Sequence, residues 1–378
     1  MSERQGVRAL VLVGPQQARI VEFERSLLPP GAIRIEVEAA GVCGSDRHIY
    51  HGTKALGHPV ILGHEIVGRV TEITPDAKHQ IRTVGGGLSV GLRVALVPGF
   101  GACKQCYACQ HLLARPALCK ARPVYGFLSS VDPPHLLGGF AEEMVILPDS
   151  WVYALPDDLP VERAVLTEPL SVAMRAVERA LPPGLPSSGE GLGFGHSAVV
   201  LGVGPIGLLT VATLSTMGVD PLVVVDRVTS RIDLALRLGA TDALSIDALS
   251  AEDRLEAVLS LTDGAGADLA VECAGVPAAF AEALNLVRIG GTVAEVGHYY
   301  DTGGVEINPS VVCYRELTIL GSTAFPPTQF GPAITMLRKS LLPLEDLVTK
   351  CVPLERAEEA LRSSYVLDTI KEVILPGP

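Results

Sequence analysis

Four of the eight cysteines in this chain sit close together, as Cys103-x-x-Cys106-x-x-Cys109 followed by Cys119. Three thiols at intervals of three, with a fourth on the same loop, suit a closed tetrahedral zinc site. Soft thiolates neutralise a divalent ion, and the ion in turn orders a loop poor in apolar residues. The lobe predicted to carry them runs over residues 100–122. A second set is more dispersed: Cys43, Ser45, Asp46 and His48 lie together, His64 and Glu65 come further along, and Glu168 immediately precedes Pro169. A thiolate, an imidazole and one or two carboxylates drawn from separate segments suit an open catalytic zinc site, where a position stays free for water or substrate. Taken singly, each of these residues is equally at home in a core or on a surface.

The third set is Gly202-Val-Gly204-Pro205-Ile206-Gly207, which follows an apolar run and opens a helical one, with Asp226 ending the next strand. The first glycine permits a tight turn, the second lets backbone approach a pyrophosphate, and the third lets helix and strand pack closely. The N-terminus of the helix favours the anion. Asp226 would accept hydrogen bonds from a ribose 2′-hydroxyl and repel a 2′-phosphate, which points to NAD. Arg227 and Arg231 follow closely enough to meet a phosphate, which keeps NADP in view.

The elements that must position these residues divide the chain in two. At 378 residues and 48% apolar content it is long enough for roughly two domains. The first half reads as short β segments punctuated by Gly and Pro: a hairpin over Val7–Val13 and Ala18–Phe23, then strands Ile33–Ala39 and Ile66–Ile73. Beyond Pro169 the pattern changes to alternating helices and strands. These are a helix at 169–180, a strand at 198–201, a helix at 206–217, a strand at 222–225 and a helix at 230–238, then a strand at 269–272, a helix at 278–287 and strands at 292–296 and 317–320. That series predicts a doubly wound parallel sheet, entered by a loop at 182–193. The tail ends in a strand, Glu372–Leu375, expected to fold back onto the first half. The stretch 75–89, with Gly85-Gly86-Gly87, reads as a surface excursion.

Composition narrows the classes of function. Lys plus Arg number 30 and Asp plus Glu 42, a net charge of −12, which repels nucleic acid and anionic lipid surfaces even though Lys104, Arg115, Lys120 and Arg122 border the cysteines. The uncharged stretch 191–219 matches the length of a membrane span, but Gly202, Gly204, Pro205 and Gly207 break it. No apolar signal segment opens the sequence, and the cysteines are too few for a disulfide framework, so a reducing, cytoplasmic setting is expected.

In this order along the chain, the segments Gly41–Asp46, Gly63–Gly68, the cysteine quartet, Glu168–Ser171, Gly202–Gly207 and Gly290–Val293 together resemble the zinc-containing medium-chain alcohol dehydrogenases, particularly the polyol and threonine dehydrogenase branches. The resemblance covers nearly the whole chain. It implies a GroES-like, mostly antiparallel β catalytic domain over 1–171 and 322–378, interrupted by a Rossmann cofactor domain over 172–321. It further implies two zinc ions per chain, NAD, a small-molecule alcohol substrate and a homodimer or homotetramer. Cys43 and His64 would ligate the catalytic zinc, with Glu65 and Glu168 as ligands or water-bridged carboxylates. Asp46 would orient His64, and Ser45 and His48 would relay the proton. The rival readings are a zinc-independent reductase of the same fold and a catalytically silent NAD-binding zinc protein.

Two departures from the family stand out. The interval from Cys109 to Cys119 is longer than usual, which makes His111 a candidate substitute ligand. The usual Gly-Asp-Arg-Val turn is Gly91-Leu92-Arg93-Val94 here. Tyr50, His51, Lys54, His298, Tyr299, Tyr300 and Phe325 fall in segments that border the family's substrate pocket, and each reads equally well as packing.

Overall fold

The computed structural model describes residues 6–181, 192–363 and 369–377. The loop predicted at 182–193 falls outside them except for Leu192 and Gly193. Two compact units emerge. One holds the described residues up to 168, with 325–339 and those from 348 onward; the other holds those of 169–324, with 340–347.

Ile33–Gly41 is the axis of the first unit. Its Ile, Val and Ala residues are buried while Glu36 is exposed. Glu65–Ile73, Glu143–Ile146 and Lys371–Leu375 all pair with it antiparallel. The last pairing stitches the end of the chain to its beginning, matching Val373 with Gly41 and Ile374 with Ala40. The expected hairpin forms between Gly6–Gly14 and Gln17–Glu24, and one core runs from Leu10 through Val37, Ile61 and Phe140 to Ile374. The stretch 75–89 corrects the sequence reading, because it is part of the fold. A short helix, Ala77–Gln80, leads into the strand Arg82–Val84, which pairs in parallel with Trp151–Ala154. Ala77, Ile81 and Leu88 are buried in the core, and removing apolar surface from water, at about 25 cal/mol per Å², favours that arrangement over an excursion into solvent.

The second unit is a six-stranded parallel sheet. Its order is 242–245, 222–226, 198–201, 267–272, 287–295 and 318–321, so the sequence order reverses between 198–201 and 267–272. Three elements escape the sequence patterns: the strand Asp242–Ser245, polar at both ends, and the helices Pro309–Tyr314 and Ala251–Leu261. The last of these does carry a local signal, for Ser250 Oγ accepts the Asp253 N–H at 3.1 Å and Asp253 accepts the Ser250 N–H at 3.1 Å, a reciprocal cap. Residues 340–347, expected with the catalytic tail, pack here instead, because Leu344 and Leu347 are buried and Asp346 pairs with Arg237. Among the described residues no helix is long and apolar enough to cross a membrane. The stretch 191–219 is split into the strand Ala198–Leu201 and the helix Pro205–Thr216.

Glycine has different meanings at two positions of the 202–207 turn. A Cβ on Gly207 would lie 1.9 Å from the Gly202 carbonyl oxygen, whereas one on Gly204 would meet nothing within 4 Å. Gly207→Ala is therefore expected to destabilise by about 1–3 kcal/mol through forced separation of helix and strand. Gly204→Ala should stay within about 0.5 kcal/mol of wild type and weaken dinucleotide binding instead. Thermal denaturation and NADH titration of the two variants separate these effects.

Candidate active site

In the first unit, Cys43 precedes the short helix Gly44–Tyr50, and Asp46 in its first turn accepts the Cys43 N–H at 2.9 Å. The other oxygen of Asp46 accepts the Gly63 N–H at 3.3 Å and lies 3.4 Å from His64 Nδ1. Gly63 has φ +89°, and a Cβ there would lie 2.5 Å from the Phe140 ring, so the bend that presents His64 requires glycine. With Nδ1 turned to the carboxylate, Nε2 is the nitrogen left for a metal. Burial disfavours the charged ring, but Asp46 and then Cys43 outweigh it and hold the His64 pKa well above 6.5.

Cys43, His64 and Glu65 each offer a donor atom, all within 4.8 Å of one another. Glu65 has 1% of its surface exposed and would be a costly lone charge, yet Lys371 Nζ reaches its Oε1 at 2.5 Å and the Val42 carbonyl at 3.0 Å. Lys371 went unnoticed in the sequence, which holds no local signal linking it to residues more than three hundred positions away. Glu168, in the first turn of the helix Thr167–Ala180, is buried outside the converged donor set. Burial, opposed by His64, pushes its carboxyl up to about 7.

The cysteine lobe brings Cys103, Cys106, Cys109 and Cys119 within the same 4.8 Å. The Cys103 and Cys109 sulfurs are 3.8 Å apart, far beyond a disulfide bond of about 2.05 Å. Two thiolates on one tetrahedral zinc, each about 2.3 Å from it, stand about 3.8 Å apart. Backbone N–H groups of Gln105 and Cys106 draw the Cys103 thiol down to about 6, while desolvation and then the thiol of Cys106 push Cys109 up to about 12. The four cannot all ionise without a cation among them. His111 stands outside the set and packs at a tilt against Tyr107 with ring centres 4.6 Å apart, leaving Cys119 as the fourth donor.

In the second unit, Gly202 adopts φ +82°, Gly204 caps the helix Pro205–Thr216, and open space adjoins Gly204. That space is where an approaching pyrophosphate would lie. The Asp226 carboxylate accepts N–H groups from Val203 at 2.7 Å, Arg227 at 2.7 Å and Val228 at 2.9 Å. It ties the glycine turn to the end of the neighbouring strand and retains acceptor capacity for a ribose hydroxyl. Two residues considered for a substrate pocket are packing residues. Tyr50 is locked between Glu358 and Arg362, at 2.9 and 3.0 Å, and Phe325 stacks on Phe330 at 5.4 Å.

A metal-ready β unit and a dinucleotide-type parallel sheet define a zinc-dependent dehydrogenase architecture, and comparison with known proteins identifies the family. Residues 29–157 match the alcohol dehydrogenase GroES-like domain, and residues 205–339 match the zinc-binding dehydrogenase domain. A protein named a probable alcohol dehydrogenase in Mycobacterium tuberculosis is 33% identical, over 96% of this chain and 95% of its own. The sorbitol dehydrogenase of Bacillus subtilis is 30% identical, over 99% and 98%. The crystal structure of an alcohol dehydrogenase from Thermotoga maritima superposes with a TM-score of 0.90 at 28% identity, over 98% of this chain and 99% of that one. The chain belongs to the zinc-binding alcohol dehydrogenase family.

Removing one ligand from each centre should have different consequences. Cys106→Ala is expected to lose one zinc per chain and lower the thermal midpoint, because the lobe has little apolar core to fall back on. Cys43→Ala should lose one zinc and all turnover while keeping the wild-type midpoint within a few degrees. Asp46→Asn keeps the shape but not the charge and should weaken zinc at the Cys43–His64 centre about 10- to 100-fold, as read by competition with a chromogenic chelator.

Proposed function

We propose that the protein oxidises a secondary alcohol or polyol to the corresponding ketone with NAD, and catalyses the reverse reduction. The observation that carries this reading is the convergence of Cys43, His64 and Glu65, two residues before a buried hydroxyl, Ser45 Oγ, that has no hydrogen-bond partner among the described residues. When bound, zinc would supply Lewis acidity toward the alcohol oxygen and NAD a hydride acceptor beside the adjoining carbon. Cys43 and His64 would hold the metal, with Glu65 and Glu168 as further ligands or carboxylates bridged through water. The four lobe cysteines hold a second, structural zinc.

The remaining task is proton release. Ser45 Oγ is free to accept a hydrogen bond from the substrate hydroxyl, and would hand its own proton on as that one arrives, staying neutral. His48 lies three residues on, along the same helix face, and can pass that proton to solvent. Burial and then the neighbouring His51 hold the His48 pKa below its ordinary 6.5, so the ring is neutral near pH 7 and ready to accept.

The intact ligand set weighs against a zinc-independent reductase, and the separate sulfurs of the lobe support a reducing, cytoplasmic compartment. The edge strand Thr318–Gly321, exposed over most of its length, supports a homodimer or homotetramer, since open sheet edges are normally covered. Light scattering measures that directly.

A panel of alcohols, polyols and hydroxy-amino acids with NAD⁺, followed by NADH absorbance, tests the activity; absence of turnover across the panel by zinc-loaded protein would refute it. His48→Gln is expected to lower oxidation about 10- to 100-fold near neutral pH. The deficit should shrink as pH rises and hydroxide takes over as acceptor, whereas wild type should lose rate only as pH falls through the lowered pKa of His48. Asp226→Ser removes an acceptor for the ribose and a charge that repels a 2′-phosphate, so kcat/KM should shift from NAD toward NADP; unchanged preference removes Asp226 from coenzyme selection.

A further inference from the structure

The second unit contains a donor set that neither zinc centre uses. Glu272 and Glu295 end neighbouring parallel strands and are register partners. His298 Nδ1 lies 2.9 Å from Glu295 Oε1 and 3.5 Å from Glu272 Oε2. One donor atom from each of the three falls within 4.8 Å of the others. Glu272 has no exposed surface. Its Oε1 accepts the N–H groups of Ala274 and Gly275, both at 2.8 Å, but its buried Oε2 has no hydrogen-bond partner among the described residues, and neither has the buried Oε2 of Glu295. Two adjacent carboxylates in such a place cannot both stay charged unless something positive lies between them.

We propose that Glu272, Glu295 and His298 form a third cation site, one that takes a divalent ion of the Mn²⁺ or Zn²⁺ kind. The spacing fits. Ligands about 2.1 Å from one ion are about 3.0 Å apart at a right angle and about 3.4 Å apart in a tetrahedron, and the observed separations are 2.9 and 3.5 Å. Two carboxylates and an imidazole suit Mn²⁺ or Zn²⁺ better than a soft, thiolate-seeking ion. Binding places the imidazole proton on Nε2, so that Nδ1 ceases to donate to Glu295 and becomes a ligand, and the two carboxylate charges balance the ion. The backbone bonds to Glu272 Oε1 fix that carboxylate in place. A cavity of about 420 Å³, lined by Phe280, Glu295, His298, Tyr299 and Asp301 among others, gives an entry route and room for waters to complete the coordination shell. A bound ion would clamp two strand ends to the segment that follows Glu295.

The test is equilibrium dialysis of the zinc-loaded enzyme against about 0.1 mM Mn²⁺, with total zinc plus manganese per chain measured by elemental analysis. Thiolate centres keep their zinc under these conditions, because Mn²⁺ is the weakest competitor among the divalent first-row ions. Wild type is expected to hold three ions per chain, whether the third is retained zinc or added manganese. Glu295→Gln and His298→Gln should each hold two, with at least about 10-fold weaker Mn²⁺ binding. Both should keep wild-type circular dichroism, so loss of the ion is distinguished from loss of fold. Two ions in wild type, or three in both variants, overturn the proposal; in the first case a proton shared by Glu272 and Glu295 is the occupant.

Discussion

Asp46 has no exposed surface, and its carboxylate is shared among the Cys43 amide, the Gly63 amide and the His64 ring. A buried charge of this kind is tolerable only when every acceptor site is answered. Here the answering groups belong to two segments that carry the converging donor atoms of Cys43 and His64. One interaction therefore sets the direction of the chain after Ile33–Gly41, the bend at Gly63 and the ring orientation of His64. Strand pairing of Gly41 with Glu65 brings the two segments together, and the Asp46 carboxylate fixes the donors they carry within that frame.

The same logic extends to the end of the chain. Lys371 and Glu372 are successive residues of one strand, so their side chains leave on opposite faces. Lys371 meets Glu65, while Glu372, fully buried, accepts from Arg47 at 2.6 Å, Lys350 at 2.8 Å and Ser363 Oγ at 2.6 Å. Arg47 belongs to the helix that Cys43 caps, so a strand from the tail braces both the Glu65 side and the helix side of the Cys43–His64–Glu65 cluster. Breaking such a pair leaves a charge stranded in low dielectric, which typically costs about 3–5 kcal/mol. The pairing of the two chain ends is thus part of the chemistry as well as of the fold.

The cofactor-type unit uses a carboxylate in a comparable way. Asp226 spends its acceptors on backbone N–H groups from the glycine turn and from its own strand end, which holds the turn open beside Gly204. Glu272 does likewise with one of its oxygens at the end of the 267–272 strand. Strand ends on both sides of the sheet's order reversal are therefore finished by acids, and it is there that open α/β sheets bind their ligands.

The sequence by itself determined whatever is encoded over short range. The spacing of the lobe cysteines, the glycine turn with its acid, the alternation along Ile33–Gly41 and the βαβ rhythm after Pro169 all follow from local periodicity and residue chemistry, and they located the longer antiparallel strands, most of the parallel sheet and both thiolate-bearing donor sets, but not the strands Arg82–Val84, Arg93–Leu96, Glu143–Ile146, Trp151–Ala154 and Val348–Pro353. Asp242–Ser245 was invisible because only its two central residues are apolar, whereas the equally short Ala198–Leu201 is an unbroken apolar run. The structure alone decided what depends on long-range closure. It brought Lys371 to Glu65, left Glu168 outside the converged donors and His111 outside the lobe, buried the 75–89 stretch, and made Glu272 and Glu295 neighbours. Each of these turns on which groups the folded chain brings together, over 306 residues for Lys371 and Glu65 and over a strand crossover for Glu272 and Glu295, and spacing along the chain carries no record of that.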